Sequence, residues 1–133
     1  MIFADTSAWF ARTVSGDPNH DTAIAWTQEN LGLLITTDYV IDETLTLLKT
    51  RGHYAAARTF GRCMFEGEDP FVRIHFLSRD EILDAWRVFR DYRDKAWSFT
   101  DATSKIVTER LGIRQAFAFD EHFRQFGTVE VVP

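Results

Sequence analysis

Five short apolar runs, separated by longer stretches whose apolar residues recur at helical spacing, restrict the fold of this chain more than any other feature. Ile2-Phe3-Ala4 is continuously apolar and ends at Asp5. A strand buried on both faces reads this way, and such strands belong to parallel sheets covered by helices. Similar strands are predicted over Leu33–Thr36, Phe71–Leu77, Gln115–Phe119 and Val129–Val132. Between them the spacing predicts helices over Ser7–Val14, from an Asn19 cap to about Asn30, from an Asp38 cap to about Arg51, and from His53 to about Phe65. Further helices are predicted from Ser78 to about Tyr92, from Ser98 or Thr100 to Gly112, and over Glu121–Phe126. The order β-α-α-β-α-α-β-α-α-β-α-β is that of an α/β chain: a three-layer α/β/α sandwich with a mainly parallel central sheet. At 133 residues it is expected to form a single domain over 1–133, and 12 Phe with 4 Trp are enough for its core.

In a parallel sheet the strand C-termini and the N-termini of the following helices share one edge, where sites form. Four acids are expected on that edge: Asp5, Glu43, Asp101 and Asp120. Each also has a local explanation. Asp5 suits a ligand position and a helix N-cap about equally. Glu43 lies at the rim of the apolar arc Val40, Ile41, Leu45, Leu47, Leu48, at about 100° per residue, while Asp42 points the other way. Glu43 is therefore the partly buried acid, either paired with a cation or serving a site. Ser98-Phe99-Thr100-Asp101 fits a capping box with Asp at the N3 position, and Asp120 fits a cap for the short helix after it. Joint placement on one edge favours a common pocket over four separate caps. A cluster of like charges calls for protonation or a bound cation. Oxygen donors of this kind suit Mg²⁺ or Mn²⁺.

Composition narrows the alternatives. The net charge is −5, with 15 basic against 20 acidic residues, which argues against a broad basic face for duplex DNA. Without the four edge acids, 16 acids face 15 bases and the remainder is nearly neutral. Cys63 is the one cysteine, so neither an internal disulfide nor a Cys-based zinc site is expected. Its helical setting reads as a small buried hydrophobe. The four His are scattered, His75 reading as a strand residue and His122 as a surface residue. The start Met1-Ile2-Phe3-Ala4-Asp5 has no basic segment of a signal peptide, and no apolar run approaches a membrane span, so a cytoplasmic protein is expected. Two basic stretches stand out: Lys49, Arg51, His53, Arg58 and Arg62, and Arg79, Arg87, Arg90, Arg93 and Lys95. Either could flank the acids and hold phosphates. For the second, solvated pairing with Asp84, Asp91 and Asp94 is the stronger reading.

Asp5-Thr6-Ser7 after the first strand, Glu43 in the second strand's helix, Ser98-Phe99-Thr100-Asp101-Ala102 and Ala118-Phe119-Asp120-Glu121-His122-Phe123 together resemble the PIN domain. The resemblance covers essentially the whole chain and is strongest for the small PIN proteins that act as VapC-type toxins of toxin–antitoxin systems. It implies a metal-dependent endoribonuclease that cleaves single-stranded RNA by phosphodiester hydrolysis with Mg²⁺ or Mn²⁺. It also implies Asp5, Glu43, Asp101 and Asp120 as metal-site acids, Ser7 as a support for Asp5, and Thr100 as a further hydroxyl near the site. A cognate antitoxin and a homodimer, formed through the apolar early helices, are the expected partners. The alternatives are a PIN-domain RNA-processing nuclease without an antitoxin, or an inactive PIN-like binding module. A haloacid-dehalogenase-like phosphatase would need an Asp where Ser7 stands. A receiver domain would need an acid pair near the first strand and a late-strand Lys, and neither is present.

Overall fold

The computed structural model describes residues 1–67 and 69–133. Its strands are β1 (Ile2–Ala4), β2 (Leu34–Thr37), β3 (Val72–His75), β4 (Gln115–Phe117) and β5 (Glu130–Val132). Its helices are α1 (Thr6–Thr13), α2 (His20–Glu29), α3 (Asp38–Thr50), α4 (Tyr54–Phe65), α5 (Arg79–Asp91) and α6 (Phe99–Arg110). A 3₁₀ helix, Glu121–Phe126, stands where the sequence pattern predicts a short helix. Every strand pair is parallel, in the order β3-β2-β1-β4-β5. The expected element order and three-layer architecture are both present.

That order has a functional consequence. From β1 the chain steps outward to β2 and β3, then returns to the other side of β1 to place β4 and β5. The reversal falls between β1 and β4. In open α/β sheets a crevice forms at such a point, beyond the carboxyl ends of the strands.

The register explains why β1 has no polar face. Ala4 lies beside Phe117, and Phe3 beside Ala116. On one face Phe117 packs against Trp26 of α2, with ring centroids 4.3 Å apart. On the other, Phe3 stacks on Phe123 of the 3₁₀ helix at 5.8 Å. Phe123 is fully buried and also meets Phe126 at 4.6 Å. The 3₁₀ helix thereby holds the segment after β4 against β1. Phe123→Ala is expected to cost about 3–5 kcal/mol through the cavity it leaves. Chemical denaturation measures it; a loss below ~1 kcal/mol would show that this contact does not anchor the segment.

Polar bonds tie the carboxyl edge together. The Trp9 indole N–H donates to Thr36 Oγ1 at 3.2 Å, and that hydroxyl donates to the Ala4 carbonyl at 3.1 Å. Helix α3 is capped by Thr37, whose Oγ1 accepts from the Val40 N–H at 3.1 Å, and not by Asp38. Thr37 is still extended (φ −122°, ψ 162°), as a cap residue must be. Asp38 already lies in the helix and accepts from the Leu77 N–H beyond β3 at 3.1 Å. Asn19 occupies the cap position of α2, but its side chain makes no capping bond. Gly52 and Gly112, after α3 and α6, take the left-handed conformation (φ 82° and 64°) that glycine adopts most readily. Cys63 is exposed, contrary to the sequence expectation: its side of α4 faces away from the core that Ala57 and Phe60 enter.

Candidate functional site

Asp5 follows β1 directly and caps α1. One carboxylate oxygen accepts from the Ser7 N–H at 3.2 Å and from Ser7 Oγ at 2.9 Å. Ser7 Oγ in turn accepts from the Phe119 N–H at 2.9 Å. One hydroxyl therefore fixes Asp5 and joins the end of β1 to the segment after β4. Asp5 is only 3% exposed. Burial pushes its pKa from 3.8 to about 7, with a further push from the charge on Asp101, while the Ser7 hydrogen bonds act in the opposite direction.

Glu43 is half-buried and Asp42 is exposed, as the helical-face argument requires. Glu43 projects into a cavity of about 470 Å³ that Asp5 and Asp120 also line. Three acids from three separate elements thus meet at the reversal point of the sheet. The cavity carries further groups besides the expected acids. Asp17 and Glu121 add two more acids, and Arg51 is its one lysine or arginine among the described residues. The Arg51 guanidinium carbon lies 5.3 Å from the centre of the Phe10 ring, which also lines the cavity.

Asp101 is buried at the third position of α6 and forms the expected capping box with Ser98. Its Oδ2 accepts from the Ser98 N–H at 2.9 Å and lies 2.9 Å from His122 Nδ1. His122 Nδ1 also stands 3.4 Å from Asp120 Oδ1, and that oxygen accepts from the His122 backbone N–H at 2.9 Å. His122 is therefore not simply a surface residue: it bridges two of the four acids. Asp101 does not line the cavity itself, and its charge is felt at Asp5 from behind. Thr100 accepts the Thr103 hydroxyl on its carbonyl at 2.6 Å; among the described residues its own hydroxyl meets none of the acids.

Among the described residues, no set of three or more His, Cys, Asp or Glu side chains is disposed so as to hold a metal ion. Asp101 and Asp120 are turned to their own helix caps and to His122. The donor chemistry nevertheless fits a hard divalent cation. The donors are carboxylate oxygens, and none of the four acids has a Lys or Arg ion pair among the described residues. The most buried of them, Asp5, favours its neutral form without a counter-charge.

The two basic stretches separate clearly. On α5, Arg87 pairs with Asp84 and Arg90 with Asp91, and Lys95 beyond it pairs with Asp94. Large exposed apolar residues gather on α5 as Leu83, Trp86, Phe89 and Tyr92, and none lies on α1 or α2. On the early helices Trp9, Phe10 and Ala23 turn into the core.

A PIN domain family model matches residues 2–129. The chain is 37% identical over 134 residues to the 23S rRNA-specific endonuclease VapC20 of Mycobacterium tuberculosis, covering 100% of this chain and 99% of that protein. The crystal structure of Mycobacterium tuberculosis VapC20, described as a sarcin–ricin loop cleaving toxin, matches with a TM-score of 0.91 at 34% identity over the full length of both chains. FitAcB from Neisseria gonorrhoeae matches with a TM-score of 0.70 at 14% identity, over 100% of this chain and 97% of the other, a likeness of fold alone.

Proposed function

The chain belongs to the PIN domain family, and from that premise we propose that it is a divalent-metal-dependent endoribonuclease acting as the toxin of a toxin–antitoxin pair. One observation carries the reading: Asp5, Glu43 and Asp120, remote in sequence, line one cavity at the sheet's reversal point in a chain that is 37% identical to an rRNA endonuclease. Residues 1–133 work as one domain. No helix among the described residues is long and apolar enough to cross a membrane, in keeping with action on cytoplasmic RNA.

Asp5, Glu43, Asp101 and Asp120 are the residues assigned to hold Mg²⁺ or Mn²⁺. When bound, the ion supplies Lewis-acid stabilisation of the phosphate and a more acidic water. The protein does the rest. Ser7 holds Asp5 at the mouth of α1. To hold such an ion Asp101 and Asp120 would have to turn from His122 Nδ1, now 2.9 and 3.4 Å away, and the imidazole beside them would then be the group placed to carry a proton. Arg51 offers a charge to the scissile phosphate in a cavity otherwise dominated by acids.

The similar proteins make 23S rRNA the first substrate to try. Incubation of the purified chain with ribosomes and Mn²⁺ or Mg²⁺ is expected to yield a discrete cut, and a chelator to remove it. Glu43→Gln is expected to lower cleavage by about 10²-fold. Asp42→Asn is expected to stay within about twofold, as a solvated surface change does. Equal losses for the two variants would remove Glu43 from the assigned set. We assign the exposed α5 face, with Leu83, Trp86, Phe89 and Tyr92, to a second copy of the chain, and a cognate antitoxin to closure of the acid cavity.

A further inference from the structure

Helix α3 separates two grooves of nearly equal size. Glu43, Leu47 and Arg51 face the acid cavity. Leu45 and Lys49 face a second groove of about 460 Å³ between α3 and α4. The floor of that groove is Leu45, Ala57 and Gly61, and its rim carries Lys49, Arg58 and Arg62 against, among the described residues, the single acid Glu66. In a chain of net charge −5, this is a local excess of positive charge.

Apart from Arg79, which has no ion pair among the described residues, the cations on α5, α6 and the 3₁₀ helix differ from these. Arg87, Arg90, Lys105, Arg110 and Arg124 each pair with an acid. Lys49, Arg58 and Arg62 pair with none among the described residues. Exposed rings stand beside them: Tyr54 is 59% exposed and Phe65 is 58% exposed. The Lys49 ammonium lies 5.9 Å from the Tyr54 ring centre. Tyr54, Arg58 and Arg62 recur at i, i+4 and i+8, so they form one row along α4. Unpaired cations flanked by exposed rings match a polyanion with flat bases better than a folded protein surface. The ridge between the two grooves carries no acid from Thr44 to Arg51, and α3 is only about 10–12 Å across.

Resting on the ribonuclease reading above, we propose that the α3–α4 groove is a second RNA subsite, holding the single-stranded backbone that flanks the cut while the scissile phosphate sits in the acid cavity. Lys49, Arg58 and Arg62 contact phosphates, and Tyr54 and Phe65 stack on bases. An acidic protein segment is the competing occupant.

Fluorescence anisotropy tests this with a labelled single-stranded RNA of about 12 nucleotides, within the ~4–16 that such sites span. The protein is the full chain carrying Asp5→Asn, so that the RNA survives. Arg58→Ala with Arg62→Ala is expected to weaken binding about tenfold or more at low salt and to reduce the salt slope by about 1.4. Lysine at both positions is expected to keep the slope, which excludes misfolding. Tyr54→Ala with Phe65→Ala is expected to weaken binding without changing the slope. Arg87→Ala with Arg90→Ala, on α5, is expected to change neither.

Unchanged affinity and slope in the Arg58/Arg62 alanine variant would overturn the proposal. So would a polyglutamate peptide that binds the groove as tightly as the RNA, which would assign it to an acidic protein segment. If the chain without the Asp5 change cuts no RNA with Mn²⁺ yet the groove variants still lose RNA binding, the ribonuclease reading fails and the subsite stands. If the groove variants cut long RNA with an unchanged KM, the subsite fails and the ribonuclease reading stands.

Discussion

Replacing Asp5 with asparagine is expected to reduce RNA cleavage by roughly 10³-fold or more while the fold persists. The substitution is nearly isosteric, and the amide oxygen can still accept from the Ser7 N–H and Oγ, so the junction of β1 with the segment after β4 is retained. What is lost is a negative charge at the most buried point of the acid cavity. Gel assays with Mn²⁺, alongside circular dichroism of the same preparation, measure both halves of the expectation. Undiminished cleavage by a folded, nuclease-free variant would remove Asp5 from the mechanism.

The same substitution is expected to stabilise the protein. Burial first, and the charge on Asp101 second, raise the Asp5 pKa from 3.8 to about 7 in the folded chain. A folded state that holds a proton more tightly than the unfolded chain loses stability as pH rises from about 4 to about 7. At roughly 1.4 kcal/mol per unit, the cost at neutral pH without a cation is on the order of 4 kcal/mol. Asparagine carries no charge and escapes that cost. Asp5→Asn is therefore expected to raise Tm by about 10–15 °C at pH 8 and to give no gain near pH 4. Added Mn²⁺ is expected to raise Tm of the unsubstituted chain and not of the variant, since binding to the native state alone stabilises it. A variant less stable at pH 8, or a difference independent of pH, would mean that Asp5 is not held against its charge. An active site that weakens its own fold is a common trade between stability and activity.

Much of this was readable from residues alone, for identifiable reasons. β1 and β4 are buried on both faces, so they appear as uninterrupted apolar runs whatever surrounds them. Glu43 was distinguished from Asp42 because helical geometry converts spacing into direction without reference to the rest of the chain. The Ser98–Asp101 capping box is local and was legible for the same reason. Features that depend on distant packing were not. Thr37 rather than Asp38 caps α3, because Asp38 is drawn to the Leu77 N–H, a contact across 39 positions of sequence. His122 lies between Asp101 and Asp120 only because the 3₁₀ helix is pinned to β1 through Phe123. Asp17 and Asn19 reach the acid cavity from a loop, where no periodicity marks them, whereas Arg51 belongs to a basic stretch legible in the sequence as able to flank the acids. Whether Trp86 and Phe89 point to core or solvent depends on how α5 sits against α6.

Asp5, Glu43, Asp101 and Asp120 are proposed to gather at a divalent-cation site. An anomalous difference map from crystals soaked in Mn²⁺ tests it most directly. The expected result is a peak bounded by Asp5, Glu43, Asp101 and Asp120, with Asp101 and Asp120 turned away from His122. No peak there at saturating Mn²⁺, or a peak held by other residues, would contradict it.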